Sequence, residues 1–224
     1  MNEYLNEIIN NYFNTDKGIL YLVDLIREKY PNFNINEDNL KNLSIVEMDV
    51  PYFEQTGFVG EYVADKKVIK VVKKETLSKY GSLFTDRDII DTFLHELLHA
   101  LTTKIDKDNG FILEGINLRR ILDNNNSYFL SLNEGITQYF TNDLLDITDN
   151  DAYVFESKVA ELLSLIVGKE SLIESYSNNN INSFLSNLNG LSEGMGQQIF
   201  VANIYFISAF FFSATQFLPR KIQG

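Results

Sequence analysis

Two histidines stand four residues apart in the stretch His95-Glu96-Leu97-Leu98-His99, and the chain contains no others. On a helix, residues four apart lie one turn above each other on one face, so both imidazoles can be offered to a single metal ion. Glu96 is one residue on from His95, about 100° around the helix. From there it is badly placed as a ligand and well placed to take a proton from a water held at the ion. The competing reading is an amphipathic helix with two incidental histidines. Against it, Ile89, Ile90, Phe93, Leu94, Leu97, Leu98 and Leu101 surround the pair. Such a helix is central and its histidines lie deep, where two unpaired imidazoles are costly unless something binds them.

A catalytic zinc (Zn2+) usually takes three protein ligands and keeps one position open. With no third histidine and no cysteine, the third ligand must be a carboxylate. Two glutamates share the local form Glu-Gly-Ile, Glu114 and Glu134. Glu134 is preferred. It begins a polar stripe at helical spacing, Glu134, Thr137, Gln138 and Thr141, while Ile136, Tyr139, Phe140 and Leu144 lie elsewhere and can pack. A solvated helix face would show the same stripe. Ser131 with Glu134 also matches a capping box, which would make Glu134 a mere cap.

These residues need elements to hold them. The histidine helix is expected from Asp86 to about Lys104, opened by Thr85 and Asp88 and broken by Asn109-Gly110. Apolar spacing predicts helices at 3–14 and 17–30, the second on Leu20, Val23, Leu25 and Ile26 with Pro31 as its stop. From 42 to 74 the period changes to that of strands. "NLSIVEMDV" is one strand, and "GFVGEYVA" and "KVIKVVKK" flank a turn at Asp65-Lys66. Residues 111–122 read as a helix, "DNNNS" as a loop, and 132–146, 152–167 and 195–217 as helices. The last stretch barely reaches bilayer length and is interrupted by Asn203, Ser208, Ser213 and Thr215, so it reads as a buried helix and argues against membrane association.

Composition narrows the partners. The net charge of −12 gives no positive field for nucleic acid or anionic membrane. The one basic cluster, Lys66, Lys67, Lys70, Lys73 and Lys74, alternates with valines and reads as a solvated strand face. Without cysteine, disulfides, thiolate ligands and a Cys nucleophile are excluded. The start, "MNEYLNEIINNYFN", lacks the form of an export signal, which points to the cytoplasm unless a leader has been removed. The abundant asparagine is read as genome bias with little to say about mechanism.

"HELLHAL" followed by "LNEGITQYFT" resembles the gluzincin group of zinc metallopeptidases, in its small bacterial forms. The resemblance covers about 50 residues, Asp88 to Asp143. It implies an α+β, zincin-like domain over residues 1–224. An upper lobe, about 1–107, would hold a small antiparallel or mixed sheet and the central zinc helix. A mainly helical lower lobe, about 108–224, would bring the glutamate. His95, His99 and Glu134 become ligands and Glu96 the general base, and the implied activity is zinc-dependent hydrolysis of a polypeptide. Many gluzincins carry an acidic residue one turn after the ligand glutamate to hold a histidine. Gln138 stands there instead, leaving Asp91 or Asp143 to contribute charge. The oxyanion needs a neutral donor; Tyr128 is the first candidate, with Tyr139 and Tyr153 as alternatives. The strand Val68, Lys70, Val72 is the expected cleft rim to which a peptide could add, or else an ordinary edge strand protected by its lysines. Two other functions stay open: a regulatory or self-processing protease with one dedicated substrate, and a catalytically inactive binding protein on the same scaffold.

Overall fold

A computed structural model of the chain describes residues 16–48, 59–72, 86–121, 123–148 and 152–191. The expected helices at 3–14 and 195–217, the Thr85 cap, and Lys73 and Lys74 lie outside them. The described residues form a mixed α+β fold with two small sheets and several helices.

The chain enters through α1 (Asp16–Lys29) and the short α2 (Glu37–Asn42). The buried stripe of α1 is Ile19, Leu22, Val23 and Ile26; Leu20, expected inside, is exposed. The first sheet holds β1 (Ser44–Glu47), β2 (Gly60–Val63) and β3 (Val68–Val71) in the order β1-β3-β2. β1 runs parallel to β3 and β2 antiparallel to it. The sheet is therefore mixed, and the expected rim strand is its middle one. Val68 pairs with Ser44 and Val63, Lys70 with Val46 and Glu61, and the Val72 N–H donates to the Val59 carbonyl. Lys70 also forms an ion pair with Glu61 at 2.8 Å. None of the three has an edge to offer a peptide. Among the described residues the edges of this sheet belong to β1 and β2, and β2 is the one that meets Glu96.

α3 (Asp86–Thr102) carries the histidines through the centre of the core, with Leu94, Leu97, Leu98 and Leu101 fully buried. Its end is tied down by asparagines. The backbone N–H of Asn36 donates to Leu101 O, and its amide to Thr103 O at 2.8 Å. The buried Asn39 amide donates to Ala100 O and Thr103 O, and that of Asn179 to Thr102 O and Gly115 O. These amides satisfy carbonyls that a helix end leaves without partners. The asparagine usage first read as genome bias therefore includes structural residues.

Two corrections follow α3. Of the stretch 111–122 expected to be helical, the described residues 111–121 are not, and "DNNNS" is not a loop. β4 (Lys104–Asp106), β5 (Phe111–Glu114), β6 (Asn117–Arg120) and β7 (Asp123–Tyr128) form an antiparallel meander. Gly110 at φ 72° and Gly115 at φ 56° supply the left-handed turn residues that a side chain would resist. The lobe boundary expected near 107 falls inside the β4–β5 hairpin, and the region after it opens with the strands β5, β6 and β7 before the helices begin.

α4 (Leu130–Leu144), α5 (Val154–Val167), α6 (Lys169–Ser177) and α7 (Ile181–Leu191) complete the described fold. Phe140 on α4 meets Tyr30 and Tyr176 edge-on, each at 5.4 Å between ring centres, which locks α1, α4 and α6 around one core. No described helix is long and apolar enough to cross a membrane.

Candidate metal centre

α3 presents His95 and His99 one turn apart, and both are buried. α4 crosses them with Glu134. Ser131 does not cap this helix: α4 begins at Leu130 behind Phe129, so Glu134 lies within the helix and is free to point at the imidazoles. His95 Nε2 is 3.0 Å from His99 Nε2 and 3.1 Å from Glu134 Oε2, and His99 Nε2 is 3.4 Å from that oxygen. This buried His95, His99 and Glu134 group could hold a metal ion.

The far side of each ring decides what the near side offers. His95 Nδ1 lies 2.9 Å from Gln138 Oε1. The Gln138 amide nitrogen donates to Asp91 Oδ1 at 2.9 Å and to Asn142 Oδ1 at 3.0 Å, so its oxygen must face the histidine. His95 therefore donates from Nδ1. His99 Nδ1 lies 2.7 Å from Glu114 Oε1, and it too donates. In neutral rings both Nε2 atoms then carry lone pairs, aimed at each other and at a carboxylate oxygen. Three electron-rich atoms converging in a buried space repel unless a cation sits among them. Tetrahedral donors on zinc stand about 3.3 Å apart, and the observed spacings bracket that value. The residues fit such an ion.

Electrostatics agrees. Burial opposes charge on His99, yet the carboxylates of Glu134 and Glu114 push it well above its ordinary value. Burial likewise works against charge on Glu134, but His99 and His95 hold it below the usual carboxylate range. A site that draws a proton this strongly is a site for positive charge, which a metal ion can supply instead.

Glu96 lies beside this group on α3. Tyr62 of β2 donates its backbone N–H to Glu96 Oε2 at 2.8 Å. Burial raises the Glu96 carboxyl, with His95 and His99 pulling it down and Glu134 and Glu114 pushing it up. β2 reaches Glu96 because Gly60 has no side chain: a Cβ there would stand 2.5 Å from Thr92 Cγ2 and 3.0 Å from Glu96 Cγ. In the β2–β3 ladder the Glu61–Lys70 pair is the bonded one, so the backbone groups of Gly60 and Tyr62 point outward.

The tyrosine at the site is Tyr153, not Tyr128. Tyr153 stacks on His95 at 5.4 Å with the ring planes 10° apart. The residue as a whole is 42% exposed, while its hydroxyl bonds Glu134. That carboxylate first, then burial and Glu96, push its phenol well above the ordinary value. Tyr128 pairs with Leu118 on β7 and lies on the sheet face opposite Ser127 and Asn117. Tyr139 accepts a hydrogen bond from Ser164 and packs on Phe140. Asp143 is also off the site; it binds Lys169 at 2.7 Å and Tyr30 at 2.5 Å.

Glu114, weighed as the third ligand, instead grips the back of His99. Asn133 was missed altogether. It is fully buried, its oxygen accepts the Ile116 N–H at 2.9 Å, and its amide lies 3.5 Å from His99 Nδ1. Its position one residue before Glu134 was the available signal. Comparison with known protein families, with curated proteins and with solved structures finds no match for this chain.

Proposed function

We propose that this chain is a zinc-dependent peptidase, with a gluzincin-like centre in a zincin-like fold. One observation carries the reading. Three donors converge at metal-ligand spacing with a half-buried carboxylate, Glu96, beside them, and both imidazoles are held from behind in the ligating tautomer. His95, His99 and Glu134 would hold the ion. When bound, zinc supplies Lewis acidity and lowers the pKa of a water toward about 7.

The chain's own groups do the rest. Glu96 takes the proton of the attacking water and returns it to the leaving amine. A carboxyl raised by burial suits a group that must do both near neutral pH. Tyr153 stays protonated, so its hydroxyl can leave Glu134 and donate to the carbonyl oxygen as that oxygen gains charge. The outer edge of β2 overlooks Glu96, and a peptide adding there as an extra strand would bring its backbone past the site.

Elemental analysis of gently prepared protein should find about one zinc per chain. Glu96→Gln should keep that zinc and lose cleavage of casein or a peptide library by roughly 10²–10⁴-fold. Zinc-free wild-type protein would sink the reading; cleavage persisting in Glu96→Gln would remove the base but leave the metal site standing.

A further inference from the structure

Glu96, Glu114 and Glu134 crowd the metal centre with negative charge. A cation, Arg119, shares their space. Its place follows from the strand register. Glu114 on β5 pairs with Asn117 on β6, and Arg119 pairs with Ile112 on one side and Ser127 of β7 on the other. Side chains alternate along a strand, so Glu114, Asn117, Arg119 and Ser127 share one face of the meander. Two contacts identify that face. Ser127 Oγ donates to Asn117 Oδ1 at 2.6 Å, and Glu114 Oε1 meets His99 Nδ1 at 2.7 Å. Arg119 is therefore on the face turned toward the metal centre. Arg120, exposed and paired with Phe111, takes the other.

β2 borders the same space. The Tyr62 N–H donates to Glu96. Burial and the Glu114 charge push the Tyr62 phenol up to about 12, while His99 and Arg119 pull it back. Arg119 stands two residues, about 7 Å, along β6 from the residue opposite Glu114. An extended peptide advances about 3.3 Å per residue. A chain lying on the β2 edge across Glu96 thus meets Arg119 about two or three residues from the bond that is cut. Arg119 is half-buried. A guanidinium held in a wall offers a fork of five N–H donors that matches a carboxylate, and it can serve one while keeping a neighbour it already holds. We propose that Arg119 is a specificity residue, selecting polypeptides with a carboxylate about two or three residues from the cleaved bond, on an Asp or Glu side chain or at the C-terminus. This preference, which rests on the peptidase reading, runs against the net charge of −12.

The zinc-loaded chain is given a peptide library in two forms, one amidated at the C-terminus and one with a free C-terminal carboxylate, and the products are sequenced by mass spectrometry. Enrichment of Asp or Glu at one fixed position in the amidated form assigns the side chain. Cuts at a fixed distance from a free C-terminus, lost on amidation, assign the terminus. In either case Arg119→Ala should lower the preference by about 10–100-fold, Arg119→Glu should exchange it for Lys or Arg, and Arg120→Ala should keep it. Arg119→Gln replaces Arg119→Ala should that variant misfold by circular dichroism. Cleavage with no carboxylate preference, or a preference that survives loss of the Arg119 charge, overturns the proposal and leaves the peptidase reading intact. Zinc-loaded protein that cuts nothing removes the peptidase reading instead, and calorimetry then decides for Arg119. Amidated peptides bearing Glu should bind the zinc-loaded chain about tenfold tighter than their Ala counterparts, an advantage lost in Arg119→Ala. Equal binding of the two overturns the proposal.

Discussion

The two Glu-Gly-Ile stretches differ in everything but sequence. Glu114-Gly115-Ile116 forms the tip of the β5–β6 hairpin, and Glu134-Gly135-Ile136 lies inside α4. Both isoleucines are buried and both glutamates reach His99, but from opposite sides. The hairpin glutamate meets Nδ1 and can only orient the ring. The helical one meets Nε2, beside His95, where an ion would sit. The glycines differ in the same way. A Cβ on Gly115 would stand 2.2 Å from Asn133 Oδ1 and 2.4 Å from the Tyr176 ring. One on Gly135 would meet the Glu156 carbonyl at 2.4 Å. Each glycine admits a close neighbour, Asn133 and Tyr176 at the hairpin and the α5 backbone at the helix. A local triplet thus carries no role of its own; the element that holds it assigns one.

Substitutions can break this contrast. Glu134→Ala should have the largest effect, weakening zinc binding on the order of 10³-fold and abolishing cleavage. Equal loss in Glu114→Ala, by competition with a chromogenic chelator, would erase the distinction. Gly115→Ala adds left-handed strain to the clash and should cost about 2–4 kcal/mol, against about 1–3 kcal/mol for Gly135→Ala. Urea unfolding of both should show that order. Glu114→Ala should keep stoichiometric zinc with affinity lower by about 10–100-fold, and Glu114→Gln should recover part of it.

The smallest effect lies away from both glutamates. Burial works against the Asp143 charge, but Lys169 and Tyr30 hold the carboxyl below the usual range. A folded value below the unfolded one stabilises fully at neutral pH, and that contribution is lost as pH falls through the folded value. Asp143→Asn should therefore cost roughly 0.5–1.5 kcal/mol at pH 7 and flatten the acid limb of a stability curve, with zinc content unchanged.

The histidine helix, the β2–β3 hairpin and the glutamate helix could be read in the sequence because each has a clean period or a specific spacing. The β4–β7 meander could not. Ile112, Leu113, Ile116 and Leu118 imitate helical spacing, and only Gly115 marks the turn between them. The polar run of β7 is a strand because β6 pairs with it, which no local preference reports. At the centre, His95, His99 and Glu134 are brought together as their spacing predicted. The choice among twelve tyrosines depended on how α5 enters against α4, and that rests on Gly135 facing Glu156. Gln138, where an acid was expected, passes the carboxylate of Asp91 on to His95 through its amide.

The asparagine ties at the end of α3 have a consequence for how the molecule meets its surroundings. Asn36, Asn39 and Asn179 hold four carbonyls at that end from two separate segments of chain, using amide hydrogens alone. Amides neither titrate near neutral pH nor attract a screening cloud of salt. The register of the two histidines is thereby insulated from acidity and ionic strength. The Asp143 cluster, which joins α1, α4 and α6 through charge, has no such insulation.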